Sequence, residues 1–259
     1  MPRPDLEIVE QGQGTPIVLG HALGVDLRMW DEVADELARE HLVLRYDHRG
    51  QGASSVPPGP YTMDALVDDA AALLRERALG PVVYVGLSMG GMVAQGLALK
   101  HARLVRGIVV ANSTARYPQA ARATWAQRIE SVRAQGMAAV ADATMERWFT
   151  PAFRAARPEI VERFRQSVLR ADPAGYAATC AAIAELDWLE RLPGVACPAL
   201  VISGALDAGA PPEMGRAIAA AIPGAELQVW DDVAHMSAIE QPARFVAALR
   251  GFIAARCGG

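Results

Sequence analysis

Lysine is almost missing from this sequence of 259 residues: Lys100 stands alone among 25 basic residues, and the other 24 are arginines. An abundance of arginine and alanine follows from a GC-rich coding bias, so a lone arginine carries little functional weight here. No basic block occurs and the net charge is −4. That balance argues against nucleic acid as a main partner, because phosphate binding depends on clustered cations. Cysteine is scarce and odd in number. Cys180, Cys197 and Cys257 are widely spaced, which suits neither a disulfide framework nor a zinc site and fits a reducing cytoplasm. No run reaches the roughly 18 apolar residues that a membrane-spanning helix needs, so no membrane partner is expected. Residues 1–9 hold charges and prolines, and no secretory leader is expected in them.

What is present is a chain that is 52% hydrophobic, enough for a substantial core. Short apolar runs recur: Ile17-Val18-Leu19-Gly20, Leu42-Val43-Leu44-Arg45-Tyr46-Asp47, Val82-Val83-Tyr84-Val85-Gly86, Ile108-Val109-Val110-Ala111-Asn112, Ala199-Leu200-Val201-Ile202-Ser203-Gly204 and Leu227-Gln228-Val229-Trp230. They are rich in β-branched residues and mostly lack polar alternation, as strands buried on both faces do. Helical spacing of apolar residues covers 30–39, 63–78 and 89–100. This alternation predicts an α/β fold with a mostly parallel sheet flanked by helices. It breaks once. Residues 113–192 contain no strand pattern and read as several helices, punctuated by Pro118, Pro151, Pro158 and Pro173. The expected organisation is a core of residues 1–112 and 193–259, with a helical cap of residues 113–192. A cap inserted there sits over the carboxyl ends of the strands, where ligands bind in open α/β sheets. Residues 243–255 read as a closing helix.

The strongest motif is Gly86-Leu87-Ser88-Met89-Gly90, a G-x-S-x-G sequence between a strand and a helix. A nucleophile on so sharp a turn needs small residues two positions before and after it, where strand and helix converge, and Gly86 and Gly90 supply them. A serine hydroxyl needs a base. In this arrangement the acid and the histidine follow the serine in chain order. His235 lies in a turn after the last strand, whereas His21 precedes Ser88. His48 reads as a loop residue, and His41 and His101 as surface residues. Asp207 follows the preceding strand and is the expected acid; Asp231 and Asp232 read as solvent-facing turn residues. The expected triad is therefore Ser88, Asp207 and His235. The oxyanion donors are expected to be the backbone N–H groups of Met89 and Leu23, with both side chains lining the pocket. No cofactor and no metal enter this chemistry.

At this point the residues resemble a known family. Residues 86–91 read G-L-S-M-G-G and residues 47–54 read D-H-R-G-Q-G-A-S, a D-x-R-G-x-G-x-S turn. The segment Leu23-Gly24-Val25-Asp26-Leu27-Arg28-Met29-Trp30 resembles the oxyanion loop of 3-oxoadipate enol-lactonases. So does Pro57-Pro58-Gly59-Pro60-Tyr61. In the cap, Trp125-Ala126-Gln127-Arg128-Ile129, Arg147-Trp148-Phe149-Thr150-Pro151 and Asp172-Pro173-Ala174-Gly175-Tyr176 are similar as well. The resemblance implies an α/β-hydrolase that opens a small carboxylate-bearing lactone to 3-oxoadipate in aromatic catabolism. Arg128 is the candidate for holding the substrate carboxylate, with Trp125 and Trp148 as apolar walls; an Arg suits a carboxylate through bidentate hydrogen bonding. A solvated helix residue is the alternative for Arg128. The family usually has Asn-Ser where this chain has His21-Ala22. It also starts with an extra strand and turn for which residues 1–5 leave little room, so one edge strand is expected to be absent.

Two other functions remain open on the sequence. The same triad and cap serve carboxylesterases and C–C bond hydrolases of aromatic degradation. A ligand-binding protein on a hydrolase fold is the reading from another class, and a degenerate triad would favour it. Oligomeric state is not encoded in any motif.

Overall fold

A computed structural model describes residues 3–258. In chain order the elements are β1 (Ile8–Gln11), β2 (Thr15–Gly20), α1 (Asp31–Leu37), β3 (His41–Tyr46), α2 (Met63–Arg77), β4 (Val82–Leu87), α3 (Met89–Lys100), β5 (Val105–Ala111), α4 (Gln119–Gln135), α5 (Ala138–Trp148), α6 (Pro151–Ala156), α7 (Pro158–Arg170), α8 (Pro173–Ala184), β6 (Ala199–Gly204), α9 (Pro212–Ala221), β7 (Glu226–Trp230), α10 (Ser237–Glu240) and α11 (Pro242–Phe252). The seven strands form one sheet in the order β1-β3-β2-β4-β5-β6-β7. All neighbours are parallel except β1, which runs antiparallel to β3. Every residue of β4 and β6 is buried. Helices cover both faces of these strands, and their unbroken apolar runs exist for that reason.

The six expected strands are β2 to β7. The seventh, β1, carries no continuous apolar run. Its Ile-Val-Glu-Gln is mostly half-buried, and it is held by edge pairing of Ile8 opposite Tyr46 through Gln11 opposite Val43. Residues 3–7 ahead of it form no strand. Helix boundaries shift where capping decides them. The pattern predicts a helix over 30–39, but Asp26 caps a 3-10 turn at Leu27–Trp30 and α1 follows it. The closing helix ends at Phe252 and continues as a wider π turn over Ile253–Cys257.

Between β5 and β6 the chain runs through five helices, α4 to α8, and no named strand. The prolines set their starts. Pro151, Pro158 and Pro173 open α6, α7 and α8, where a missing N–H costs nothing. The side chains of Thr150 and Asp172 cap the first and last of these. Helix α7 buries only Phe164 and Val168 and α4 only Val132, whereas α8 buries most of its residues and anchors the insertion. Among the described residues no helix is long and apolar enough to cross a membrane.

Candidate active site

Ser88 joins β4 to α3 with φ 55° and ψ −114°, a conformation that residues other than glycine seldom adopt. The surrounding chain makes it possible. A Cβ on Gly86 would lie 2.0 Å from the Gly90 carbonyl oxygen. A Cβ on Gly90 would lie 2.0 Å from the Gly20 carbonyl oxygen, so the second glycine admits strand β2, not the preceding turn. The backbone is then locked: Ser88 N–H donates to Ala111 O at 2.8 Å and Gly90 N–H to His21 O at 3.1 Å.

Asp207 lies in the loop after β6, and its four acceptor positions are filled. Oδ1 takes the N–H groups of Gly209 and Ala210 at 2.8 and 2.9 Å. Oδ2 takes His235 Nδ1 at 2.7 Å and the Asn112 amide at 3.1 Å. A carboxylate only accepts, so the neutral imidazole carries its proton on Nδ1 and presents the Nε2 lone pair elsewhere. Asn112 also donates to Ala234 O at 2.9 Å, tying the acid to the histidine loop. That loop is anchored from the insertion as well. The N–H groups of His235 and Met236 both donate to Trp148 O at 3.1 Å. Glu240 accepts from Ala234 N–H and Thr150 N–H at 2.7 and 2.8 Å. Burial nevertheless pushes the Glu240 carboxyl up.

The loop after β2 is held by the D-H-R-G-Q-G-A-S turn. Asp47 accepts from Leu27 N–H at 2.6 Å, Gln51 from Gly24 N–H at 2.9 Å, and His21 Nε2 from His48 N–H at 2.9 Å. The last bond settles the His21 tautomer. Nε2 accepts, so Nδ1 carries the proton and donates to Ala22 O at 2.7 Å. His21 is fully buried, which lowers its pKa and keeps the ring neutral. Because a trans peptide is planar, fixing the Ala22 carbonyl toward His21 turns the Leu23 N–H the opposite way.

Ser88, His235 and Leu23 line one cavity of about 300 Å³, together with Trp125, Arg128, Trp148, Tyr117, Tyr176 and Arg147 from the insertion side. The volume is at the small end for ligand sites. Residues of the insertion thus share one cavity with Ser88 and with the loops that follow β2, β6 and β7. Arg128 is half-buried, not a solvated helix residue. It stacks over Trp125 at 5.3 Å and donates to the Tyr176 hydroxyl at 3.1 Å.

The structure thus gathers Ser88, Asp207, His235, Leu23, Trp125, Arg128 and Trp148 at one place. Met89 departs in one respect. Its side chain is fully buried, and Met92, one helical turn on, lines the cavity instead. His21 is buried beneath the loop, away from the cavity wall. Asp231 and Asp232 are exposed, and Asp232 pairs with Arg244. Sequence reasoning missed Asn112, His21, Gln51 and Arg147. Asn112 has a positive φ of 47°, which marks an unusual position, but a strand-ending Asn reads as simple punctuation. Among the described residues no group of three or more His, Cys, Asp or Glu could hold a metal ion.

Comparison with known proteins shows the family to which the chain belongs. The family model for the alpha/beta hydrolase fold matches residues 15–242. The 3-oxoadipate enol-lactonase 2 of Acinetobacter baylyi is 35% identical over 235 residues, 91% of this chain and 87% of that protein. The crystal structure of the enol-lactonase from Burkholderia xenovorans LB400 superposes with a TM-score of 0.93 at 36% identity, covering 97% of each chain. A thermophilic esterase from Thermogutta terrifontis, with malate bound, gives 0.91 at 35% identity, covering 96% of this chain and 92% of that one.

Proposed function

From the premise that the chain belongs to the 3-oxoadipate enol-lactonase family of α/β-hydrolases, we propose that it hydrolyses 3-oxoadipate enol-lactone through Ser88, Asp207 and His235. The observation that carries the catalytic assignment is the saturated Asp207 carboxylate holding His235 Nδ1, with His235 and Ser88 on one cavity wall. Ser88 Oγ attacks the lactone carbonyl carbon while His235 Nε2 takes its proton. The N–H groups of Leu23 and Met89 stabilise the oxyanion. Support for that pair comes from their neighbours. The Ala22, Gly24 and Gly90 N–H groups are engaged by Met29 Sδ, Gln51 Oε1 and His21 O, and His21 aims the Leu23 peptide. Collapse breaks the ring C–O bond, and the imidazolium returns its proton to the enol oxygen, which tautomerises to the ketone. Water, deprotonated by His235, then attacks the acyl carbon; the ester bond to Ser88 Oγ breaks, the imidazolium returns its proton to Oγ, and the second carboxylate is released.

Residues 113–192 act in this reading as a cap that supplies specificity. Arg128 holds the carboxylate of the substrate, between the apolar walls Trp125 and Trp148. The small, mainly apolar cavity fits a compact lactone.

The test is ultraviolet-monitored hydrolysis of freshly made enol-lactone beside a neutral aryl ester of similar size. We expect the lactone to be strongly preferred, and Ser88→Ala to lower turnover by at least about a thousandfold. Residual activity within tenfold of the parent sinks the nucleophile. Good ester turnover with poor lactone turnover makes the protein a carboxylesterase. Failure of a fluorophosphonate to label Ser88 points to a binding protein.

A further inference from the structure

Several buried or half-buried arginines in this protein meet a carboxylate: Arg45 meets Asp31, Arg116 meets Asp187, Arg165 meets Asp142 and Arg250 meets Glu40. The two in the Ser88 cavity do not. Arg128 donates to the Tyr176 hydroxyl at 3.1 Å, and Arg147 to the Thr144 hydroxyl at 3.1 Å; among the described residues neither has an ion pair. Both line the cavity that contains Ser88, and that lining includes no Asp or Glu. Asp207 lies near but offers nothing, since His235, Asn112, Gly209 and Ala210 fill its oxygens. Two unpaired cations in a partly desolvated, acid-free cavity repel each other. Burial first, and the Arg128 charge second, push the Arg147 guanidinium down to about 10, so it remains charged at neutral pH. An arrangement this unfavourable when empty favours an anion strongly.

The arginines reach this place from different helices. Arg128 projects from α4 and Arg147 from the last turn of α5, where the helix dipole favours a cation. Tyr176, from α8, lies within electrostatic reach of both guanidiniums and bonds one of them. The two charges therefore converge on a single region of the cavity beside one hydroxyl.

We propose that Arg147 is a specificity-determining residue, and that Arg128 and Arg147 form a shared clamp for one carboxylate, steadied by Tyr176. The inference rests on the reading that this cavity takes a carboxylate-bearing substrate, and it adds a residue and a geometry to that reading. Arg128 alone provides a single charge that a neutral ester could ignore. Two converging guanidiniums make the carboxylate a requirement for tight binding and set the distance from the anion to the scissile carbonyl.

Equilibrium binding tests this without turnover. The probe is 4-oxopentanoate, a small monocarboxylate, titrated by ligand-observed NMR into Ser88→Ala protein. Three further forms add Arg128→Gln, Arg147→Gln or both. A shared clamp predicts that each single change weakens binding by about tenfold, the value of one charge-assisted hydrogen bond. Arg147→Lys should recover part of the loss by restoring the charge. If each arginine serves its own anion, a monocarboxylate still has the other arginine. Single changes then cost no more than about twofold, only the double variant loses binding, and the shared clamp is overturned. Unchanged affinity in Arg147→Gln overturns it too, as does no binding with both arginines present. Failure of the lactonase reading is separate: it is poor turnover of the lactone by the parent protein, which can coexist with the binding pattern expected here.

Discussion

On the sheet side of the cavity most of the bonds that hold the functional groups involve a backbone N–H or C=O group, and on the insertion side side chains meet side chains. Ser88 sits in a strained turn that two close backbone approaches allow, and the loop at Leu23 is pinned through N–H donors. Arg128, Arg147 and Tyr176 meet their neighbours through hydroxyls and ring faces. The difference teaches a division of labour. Bond-making chemistry needs sub-ångström placement, which a buried parallel sheet provides. Under the proposed function, recognition falls to side chains of the insertion, whose placement tolerates more variation. The two sides are nonetheless joined where Trp148 O and Glu240 hold the His235 loop.

The sharpest way to break the comparison is to crowd the sheet side. Gly90→Ala places a methyl 2.0 Å from the Gly20 carbonyl oxygen, and backbone cannot yield as a side chain would. We expect a loss of about 3 kcal/mol in urea unfolding; a midpoint shift of only a few tenths of a molar would show that the elbow is more plastic than its geometry indicates. Next is the loop. His21→Ala frees the Ala22 carbonyl, so kcat should fall by about 100-fold, as for a misplaced oxyanion donor, with KM little changed. His21→Asn keeps a donor and an acceptor and should stay within about tenfold of the parent. Equal losses in both variants would mean that the residue only fills space.

The smallest expected effect is graded and comes from acid. All five histidines lie outside residues 113–192. Burial lowers His21 and His48, the latter well below the usual value of about 6.5. Each ring is neutral when folded and protonates more readily when unfolded. Their stabilisation is thus complete above about pH 6.5 and is lost as the pH falls toward the lowered folded values, by about 1.4 kcal/mol per pH unit for each ring. His48 Nε2 has no hydrogen-bond partner, so His48→Phe should flatten this slope without disrupting the turn. An unchanged slope in urea midpoints measured between pH 7.5 and 5.5 would assign the acid sensitivity elsewhere.

Much of this was legible in the residues. The elbow is local, since strand, glycines, serine and helix are consecutive, and chain order then singled out Asp207 and His235. Unbroken apolar runs marked β2 to β7 because each is buried on both faces. Strand β1 was illegible because a four-residue edge strand draws its stability from pairing with β3. Arg147 stands in a segment that resembles the family, but its own role was illegible, because in a chain with 24 arginines one more carries little signal. Asn112 and Gln51 were missed because their roles depend on Asp207 and Gly24, 95 and 27 residues away.

The amino-acid sequence by itself determined the layered α/β architecture and the run of helices before β6, and it singled out Ser88, Asp207 and His235 as the proposed nucleophile, acid and base. These follow from periodicity, from glycine where backbones collide, and from order along the chain. Only the tertiary structure decided which groups orient them. The His21 tautomer that turns a peptide, the amide of Asn112 that fills the last position on the acid, and the two arginines converging on one cavity all arise from contacts between distant segments. Local sequence carries no record of those contacts, because each partner alone is an ordinary surface or loop residue and acquires its role only when folding removes water from around it.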